Sequence, residues 1–592
     1  MSHMSKLRLW ILAAIIVGAA GLRVYGIGWG LPQEFHPDEP LVVPRAIDAV
    51  TAGDWNPHYF LVPSLQTELV SAAYEVIYLG GRIGGAFRGP DDFGEWAAWH
   101  YGTLYLVGRG ISVLLGVLSV LGTALLAGEM MRSSNGKGGP GESGATGWAP
   151  SIAALMLAVS PLAVASSRFI TPDIPMLAFY VWSIWAMLRA MRSGSVRFLA
   201  LAGFLAGLAI STKYSAAILI LPLIISAAQM SRSKNGDRHE FRPGAASGAS
   251  STWWAKFLPV PVFAVFTPFR VKPLPKKARF RSVGLFLMPT IVLVAGFLLG
   301  TPYALLDMST FLNHLAIQYG AQYQGHIGME RAGATALRML FDMATKEGPG
   351  LIAMGLIGIG IAWVRFRRAS WVVVPLLVVY LVEISRWRVY ADRYLLPSLP
   401  LMAVLASLAW DAIVGRIRIP PVRFLVATVL LALIVVPPAV VSLKQAWELT
   451  LPDTRTLALQ WVEQNIPPGS AILLELGGPQ PADKNAPHHR EPAYGIVVLP
   501  PWFSDASQGL DPSTALELIE PEYVITSSNY RARYEDPYTR SRFPGIADAW
   551  GRYYATLDSQ WDVVYEIAPT SDAAGSRRVG PEIRIYRRRQ PR

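Results

Sequence analysis

Long apolar segments separated by short polar links fill the chain up to about residue 443. A helix that crosses a bilayer needs roughly 20 mostly apolar residues, and eleven segments approach that length. They lie at about 8–26, 103–128, 149–166, 172–191, 198–212, 214–230, 283–301, 349–364, 371–386, 395–414 and 422–443. The hydrophobic pattern therefore predicts a polytopic α-helical membrane module over residues 5–443.

The pattern changes after residue 443, where the apolar runs become shorter. Helical spacing marks 454–464, and short apolar runs that are typical of buried strands mark 471–475, 523–526 and 583–586. Helices mixed with strands predict a soluble α/β domain over residues 444–592. Its sequence contains no fingerprint for a nucleotide or a metal.

Composition supports the membrane assignment and narrows the chemistry. Of the 592 residues, 52% are hydrophobic and 16% are charged, whereas soluble domains are about one quarter charged. The net charge of +12 would suit nucleic acid, but the basic residues are concentrated in links between apolar segments, which argues against that partner. The chain has no cysteine, which excludes disulfides, thiolate metal sites and a thiol nucleophile.

Loop charges predict which face of the membrane each link occupies. Residues 231–282 carry eleven Lys or Arg against two acidic residues, and links rich in Lys and Arg stay in the cytoplasm. The first loop, 27–102, carries ten Asp or Glu against three Lys or Arg, which places it on the opposite face. Eleven crossings that start inside put residues 444–592 on that outer face too. The sequence therefore predicts an extracytoplasmic first loop and an extracytoplasmic C-terminal domain.

A proline-flanked acidic turn, Phe35–Pro40, follows the first apolar segment. Proline fixes its own φ and disfavours the helical conformation in the residue before it. The segment is thus predicted to be a held turn that presents Asp38 and Glu39 at the outer membrane surface. An ordinary solvated loop at the end of a helix is the simpler alternative.

Further polar residues interrupt the apolar segments at their predicted outer ends. Charges at such depths are costly in a bilayer and usually functional, and arginine and lysine are suited to a phosphate held at the membrane surface. We therefore predict one site that binds a lipid-linked phosphate, although each cation alone could equally extend to the lipid headgroups. The residues concerned are Arg168, Asp173, Lys213, Tyr214, Arg386, Arg388, Asp392, Arg393 and Tyr394.

A metal site is the weaker interpretation of the same face. The histidines predicted to lie there are His36, His58, His100, His314 and His326. No pair of them has the spacing of two metal ligands on one helix. A divalent metal is kept open as a cofactor because His36 lies two residues before Asp38.

Several short motifs, in this order and on one predicted face, resemble the GT-C class of polytopic glycosyltransferases. After the acidic turn come Arg-Phe-Ile-Thr-Pro-Asp at 168–173, Leu-Ala-Ile-Ser-Thr-Lys-Tyr at 208–214 and Arg-Tyr-Leu-Leu-Pro at 393–397. The chain is most similar to the bacterial, glycosyltransferase family 39-like branch, which resembles protein O-mannosyltransferases and the aminoarabinose transferases of lipid A. The resemblance runs over nearly the whole chain.

The resemblance implies an inverting glycosyltransferase of the bacterial plasma membrane that takes a sugar from a polyprenyl-phosphate donor. It also implies an extracytoplasmic active site and an acceptor hydroxyl on a glycan, a lipid or a protein. By this likeness Asp38 is the catalytic base that deprotonates the acceptor hydroxyl, a role that a positioned carboxylate can perform. Glu39 would orient the acceptor or support Asp38.

The same resemblance assigns the remaining residues of the site. Four would hold the donor phosphate while negative charge builds on the leaving group: Lys213, Arg393, Tyr394 and Arg168. Four would bind substrate: Asp173, His36, Tyr214 and Arg388. Several members of the class use an Asp-x-Asp motif with a metal, and Asp38-Glu39 departs from that spacing, so no metal ligand is assigned.

Two other classes of function are consistent with parts of the pattern. A transporter of a lipid-linked or anionic substrate would also carry charges in its membrane segments. The hydrophobic pattern shows no internal repeat, however, and the unusual charges are predicted at one face. A non-catalytic envelope scaffold would leave the acidic turn without a role.

Overall fold

The fold is that of a computed structural model. It describes residues 3–133, 147–233, 276–325, 327, 330, 336–486, 490–499, 512–569 and 577–589. Most of the predicted basic loop 231–282 and the candidate ligand His326 lie outside the described residues.

The membrane module is a bundle of long helices with shorter helices at one end. In the described residues its helices are α1 (His3–Val24), α2 (Val43–Thr51), α3 (Leu65–Ile83), α4 (Pro90–Trp99), α5 (Tyr101–Arg132), α6 (Ala149–Ala158), α7 (Pro161–Ser166), α8 (Asp173–Ser193), α9 (Val196–Ile210), α10 (Ile220–Ser233), α11 (Lys276–Gly300), α12 (Tyr303–Leu306), α13 (Met308–Gln324), α14 (Ala336–Glu347), α15 (Pro349–Arg365), α16 (Arg367–Ile384), α17 (Ser398–Arg416) and α18 (Pro420–Glu448). Every predicted span coincides with one or two of these helices, which confirms a polytopic helical protein.

The predicted spans correspond to helices of unequal length. Within the described part of the chain, seven helices are long and apolar enough to cross a membrane, and these include α1, α5, α8, α17 and α18. The apolar helices α6, α9 and α15 are shorter than 18 residues. Length and composition thus support seven of the eleven predicted crossings. Helix α18 continues to Glu448, beyond the predicted domain boundary at residue 443.

The predicted span 149–166 is divided into α6 and α7 by a local capping signal. The side-chain oxygen of Ser160 accepts a hydrogen bond from the Ala163 N–H at 3.2 Å, and Pro161 occupies the first turn of α7. A serine cap favours the start of a helix, and proline is tolerated in the first turn of that helix. Because proline has no backbone N–H, it cannot donate the hydrogen bond that would continue a preceding helix through this position. The break directs the chain towards the link that carries Arg168 and Asp173.

Helices α9 and α11 pack at very short range because glycines line their contact. A Cβ atom at Gly207 would lie 2.1 Å from the Leu293 carbonyl oxygen, and one at Gly203 would lie 2.3 Å from the Pro289 carbonyl oxygen. Small residues permit such close approach of two backbones in membrane proteins. The packing fixes the end of α9, which leads directly to Lys213.

The C-terminal domain contains a sheet with helices packed against it, as predicted. Its helices in the described residues are α19 (Thr454–Asn465), α20 (Pro512–Ile519), α21 (Ser528–Glu535), α22 (Pro537–Arg542) and α23 (Pro544–Gln560). Its strands there are β1 (Ala471–Glu475), β2 (Ala482–Asp483), β3 (Ala493–Leu499), β4 (Tyr523–Ser527), β5 (Trp561–Ile567) and β6 (Ile583–Arg588). The helix and the three strands predicted from the sequence are confirmed.

The sheet has the spatial order β2–β3–β1–β4–β6–β5. Strands β1 to β4 are parallel to one another, and β6 runs antiparallel to both β4 and β5. In such sheets the carboxyl ends of the parallel strands lie along one edge, where loops gather. The loop after β1 extends from that edge to the first loop of the membrane module.

Candidate active site

Four charged side chains from distant parts of the chain form a continuous row. Arg393 Nη1 lies 2.5 Å from Asp38 Oδ2, and Arg393 Nε lies 3.8 Å from Asp173 Oδ2. The other oxygen of Asp173 lies 2.5 Å from Lys213 Nζ. The structure thus brings together four residues that the sequence predicted in one site, in the order Asp38, Arg393, Asp173 and Lys213.

Each member of the row lies at the end of a helix, and all these ends meet at one end of the bundle. Asp38 immediately precedes a short 3-10 helix, and Asp173 is the first residue of α8. Lys213 follows α9, and Arg393 lies in a second short 3-10 helix between α16 and α17. The packing of the helices in the bundle therefore sets the spacing of the row.

Burial varies along the row and decides which members can contact a substrate. The Asp173 side chain is 1% exposed, whereas those of Asp38 and Arg393 are 25% and 30% exposed. A buried carboxylate needs partners, and Asp173 has two cations. Burial alone would lower the pKa of Arg393, but Asp173 and Asp38 raise that pKa above its usual value, so the guanidinium stays charged. Asp38 is therefore the carboxylate of the row that a substrate can reach.

Glu39 is fully buried and fixes the acidic turn. Its two oxygens accept hydrogen bonds from Arg109 Nε at 2.8 Å and Nη2 at 2.6 Å, and one also accepts from the Ile170 N–H at 3.0 Å. The expectation that the turn presents Glu39 at the surface is wrong. The turn packs against α5, where the buried guanidinium of Arg109 binds the Glu39 carboxylate. Glu39 can support Asp38, but it has no exposed surface with which to contact an acceptor.

Substituting Glu39→Gln should destabilise the protein because the buried Arg109 loses its counter-charge. Removing one partner of a buried ion pair typically costs about 3–5 kcal/mol, so the midpoint of thermal denaturation in detergent should fall clearly. Glu448→Gln is the matched control, because its pair with Lys444 at 3.7 Å is exposed and exposed pairs contribute about 0–1 kcal/mol. Equal midpoints for the two variants would contradict this role for Glu39.

Two tyrosines shape the surroundings of Lys213. Lys213 Nζ lies 4.7 Å from the centre of the Tyr394 ring, which is a cation–π distance. The hydroxyl of Tyr214 donates to the Phe60 carbonyl at 2.8 Å and so ties this segment to the first loop. Tyr394 therefore contacts the lysine through its ring, and Tyr214 positions the backbone beside it.

His36 lies at the turn itself. Its ring stacks on Phe169 with centroids 4.4 Å apart, and its Nδ1 accepts a hydrogen bond from the Asp38 N–H at 3.3 Å. Burial lowers the pKa of His36 below its usual value, which favours the neutral ring that can accept this bond. His36 thus orients the backbone of Asp38, and its role in binding substrate stays a prediction.

Arg168 and Arg388, the other two residues to which the resemblance assigns a role, take no part in the ion pairs of the row. Arg168 is 1% exposed, and its Nη2 donates to the Leu22 carbonyl at 2.8 Å, while its Nε and Nη1 have no hydrogen-bond partner among the described residues. Arg388 has an exposed side chain, and its backbone N–H donates to the Gln322 carbonyl at 2.9 Å. Their roles in binding phosphate and substrate stay predictions.

The donor set of the row does not fit a divalent metal. Asp173 uses both oxygens for Lys213 and Arg393, and Asp38 is paired with Arg393. Within the described ranges, no three His, Asp or Glu side chains are grouped so that they could hold a metal ion.

A cavity of about 280 Å³ opens beside Lys213. Its walls come mainly from α13, α16 and the segment that follows Lys213, and they are largely apolar and aromatic. Tyr319, Tyr380 and Trp387 contribute rings, while Glu383 and Lys213 contribute charge. The charged row thus continues into a space that suits an apolar chain with an anionic end.

Sequence reasoning missed Arg109 and the aromatic wall of the cavity. Arg109 lies inside the long apolar helix α5, and a charge in such a segment is itself a signal of a buried partner or a site. Trp387 lies between Arg386 and Arg388, two arginines of the predicted site, so the sequence already indicated that this tryptophan lies near the site. Tyr380 gave no signal, because an aromatic residue in an apolar helix is most often part of the core.

A polytopic helical bundle with a charged site at one end and an α/β domain beside it has the architecture of GT-C membrane glycosyltransferases. A family model described as dolichyl-phosphate-mannose-protein mannosyltransferase matches residues 146–248, a stretch that contains Asp173 and Lys213. No curated protein sequence matches the chain.

Solved structures give the comparison of folds. The oligosaccharyltransferase of Archaeoglobus fulgidus in its apo form is similar, with a TM-score of 0.52 and 13% identity over 90% of this chain and 72% of that chain. ArnT from Cupriavidus metallidurans aligns over 99% of this chain and 98% of that chain, with a TM-score of 0.49 and 12% identity in the apo state. Its form bound to undecaprenyl phosphate gives a TM-score of 0.45 and 13% identity over the same shares. The archaeal alignment shows the GT-C fold, and the resemblance found in the sequence is confirmed.

Proposed function

We propose that the protein transfers a sugar from a polyprenyl-phosphate donor to an acceptor hydroxyl, with inversion at the anomeric carbon. The observation that carries the proposal is the row from Asp38 to Lys213, which offers a reachable carboxylate at one end and opens on an apolar cavity at the other. The match of the mannosyltransferase family model to the segment with Asp173 and Lys213 supports the same class of donor.

The donor phosphate would bind at the cation end of the row. Lys213 lines the cavity and Arg393 is the next cation along, so a phosphate within reach of both would receive charge-assisted hydrogen bonds from the two side chains. The apolar and aromatic wall beside Lys213 would take the first isoprene units. Asp173 would stay behind the two cations and hold them in position.

The chemical step would use the other end of the row. Asp38 takes the proton from the acceptor hydroxyl, and the acceptor oxygen attacks the anomeric carbon from the face opposite the phosphate. The bond between the anomeric carbon and the phosphate oxygen breaks, and its electron pair stays with the phosphate. Lys213 and Arg393 stabilise the charge that develops there. One displacement with these roles inverts the anomeric carbon.

Arg393 would couple donor binding to the base. In the structure its Nη1 is paired with Asp38 and its Nε faces Asp173. A phosphate that draws the guanidinium towards itself would weaken the pair with Asp38, and that carboxylate would then be free to accept the hydroxyl proton. The base would thus be released when the donor is in place.

We place this reaction on the extracytoplasmic face of a bacterial plasma membrane. The acidic first loop and the basic loop 231–282 support that orientation. Asp38 belongs to the first loop and lies beside the C-terminal domain, so one face would carry the site, the domain and the acceptor.

Mass spectrometry of lipid that copurifies with the protein tests the proposed donor. Polyprenyl phosphate, free or carrying a sugar, should be retained by the purified protein through Lys213 and the cavity. Lys444→Ala is the matched control for Lys213→Ala, because the Lys444 side chain is exposed and pairs only loosely with Glu448 at 3.7 Å. Retention by the control variant and loss by Lys213→Ala is the expected result. Phospholipid alone in every sample would contradict the proposed donor.

A further inference from the structure

The C-terminal domain contacts the membrane module directly beside the acidic turn. The side-chain amide of Gln480, in the loop after β1, accepts a hydrogen bond from the Glu34 N–H at 2.7 Å and donates to the Glu34 carbonyl at 3.1 Å. Glu34 lies four residues before Asp38. One side chain therefore satisfies both backbone groups of Glu34, as a neighbouring strand would.

Arg455, at the start of α19, holds the next residue of the same segment. Its guanidinium lies 3.8 Å from the centre of the Phe35 ring and 5.1 Å from that of Trp29, and its Nη1 lies 3.4 Å from the Phe35 carbonyl oxygen. Asp453 accepts hydrogen bonds from the same guanidinium at 2.9 and 2.8 Å. Because this ion pair is buried, the guanidinium has a fixed place over the aromatic rings.

The turn is thus attached at both of its ends, and by two different modules. Arg109 of the bundle binds Glu39, which follows Asp38, while Arg455 and Gln480 of the C-terminal domain bind Phe35 and Glu34 at the start of the turn. Asp38 lies between the two attachments. A base must be placed within hydrogen-bond reach of the proton that it removes, so both attachments determine whether Asp38 can act.

The same domain is also connected, through Glu330, to the segment that leads to the partner of Asp38. Arg542 on α22 pairs with Glu330 at 2.6 Å, and Glu330 forms an antiparallel backbone bridge with Val389. Val389 lies four residues before Arg393. Contacts of the domain therefore reach the segments that carry both members of the pair between Asp38 and Arg393.

We propose that the C-terminal domain is a working part of the active site, in which Gln480 and Arg455 are positioning residues that set Asp38 for sugar transfer. The inference rests on the proposed function, because it assigns these residues a purpose in that reaction. It gives the domain a catalytic role that its own sequence, which has no nucleotide or metal fingerprint, does not suggest.

Gln480→Ala is the variant that tests this role. Gln480 is exposed, so the fold does not depend on its side chain, whereas Arg455→Ala would leave the buried Asp453 without its counter-charge. We expect kcat for sugar transfer to fall roughly 10- to 100-fold, since small misplacement of a catalytic group costs up to about 10²-fold. The affinity for polyprenyl phosphate should be unchanged, because Lys213 and the cavity are not touched.

Hydrogen exchange supplies a second readout that does not depend on activity. The Glu34 amide loses its acceptor in Gln480→Ala, so peptides that cover residues 33–39 should exchange about 2- to 10-fold faster. Gln464→Ala is the matched control, because Gln464 is an exposed glutamine of the same domain on α19. It should change neither exchange in this segment nor kcat.

The outcomes separate the positioning role from the proposed function. Faster exchange with a lower kcat and unchanged donor affinity supports the inference. If Gln480→Ala exchanges faster in residues 33–39 but has a normal kcat, or if its exchange is unchanged, the positioning role is overturned. The proposed function is unaffected by either result as long as the unmodified protein transfers sugar. No sugar transfer by the unmodified protein with any polyprenyl-phosphate sugar overturns the proposed function itself.

Discussion

Asp38→Asn is expected to lower the turnover of sugar transfer by about 10²- to 10⁴-fold, which is the usual contribution of a general base. Asparagine keeps the volume of the side chain and can still accept a hydrogen bond from Arg393, but it cannot take a proton from an acceptor hydroxyl. Donor affinity and thermal stability should stay close to those of the unmodified protein. The measurement is the rate of transfer from a lipid-phosphate donor, taken together with a donor-binding assay.

The matched control for Asp38→Asn is Asp91→Asn, since Asp91 is an exposed carboxylate of the same loop. It should transfer sugar at the normal rate. Near-normal transfer by Asp38→Asn would show that Asp38 is not the base, and the residue that activates the acceptor would then lie elsewhere. Loss of donor binding in step with activity would instead assign Asp38 a structural role through its pair with Arg393.

Lys213→Ala is expected to weaken the binding of polyprenyl phosphate by roughly 10- to 150-fold. A hydrogen bond to a charged group contributes about 1.5–3 kcal/mol, and Lys213 is the cation that lines the cavity. Lys213→Ala also removes one of the two cations that pair with Asp173 and leaves only Arg393 in the row. Lys213→Arg keeps a positive charge at this position, so it should recover part of the affinity for polyprenyl phosphate. Equilibrium binding of a short-chain polyprenyl phosphate to the purified protein gives the comparison.

Lys444→Ala controls for the general loss of a positive charge near the membrane, because the Lys444 side chain is exposed. Its affinity for polyprenyl phosphate should equal that of the unmodified protein. If Lys213→Ala also binds normally, the phosphate site lies elsewhere in the molecule, and the cavity beside Lys213 has another occupant.

The helices and strands could be predicted because their signals are local. Runs of about 20 apolar residues mark the spans, and short apolar runs mark β1, β4 and β6. The division of the predicted span 149–166 was less visible, although Ser160 and Pro161 form a recognisable start of a helix. The lengths of the helices were harder to predict than their positions, since several apolar helices are shorter than the length needed to cross a membrane.

The core of the site was also visible in the sequence, for a physical reason. Asp38, Asp173, Lys213 and Arg393 stand out because charges are rare next to apolar segments, and the common face of those segments implied that they meet. The sequence did not show which charge pairs with which. Arg109 was missed for that reason: its partner Glu39 is 70 residues away, and the pair only becomes evident when the turn closes over α5.

The contribution of the C-terminal domain lay beyond sequence reasoning. Gln480 and Glu34 are 446 residues apart, and Arg455 and Phe35 are 420 apart. Neither Gln480 nor Arg455 belongs to a motif, because an amide that pairs with backbone and a cation that covers an aromatic ring need no particular spacing. Such contacts depend on how the domain docks, and only the folded chain brings them into view.

The most direct test of the central claim is to follow one sugar from a polyprenyl-phosphate donor to an acceptor hydroxyl with the purified protein, and to determine its anomeric configuration by NMR. The acceptor can be an envelope extract that is fractionated after the reaction. The account predicts transfer with inversion, release of polyprenyl phosphate in equal amount, and dependence of the rate on Asp38. Transfer with retention would contradict the single displacement, and no transfer from any lipid-phosphate sugar would contradict the account as a whole.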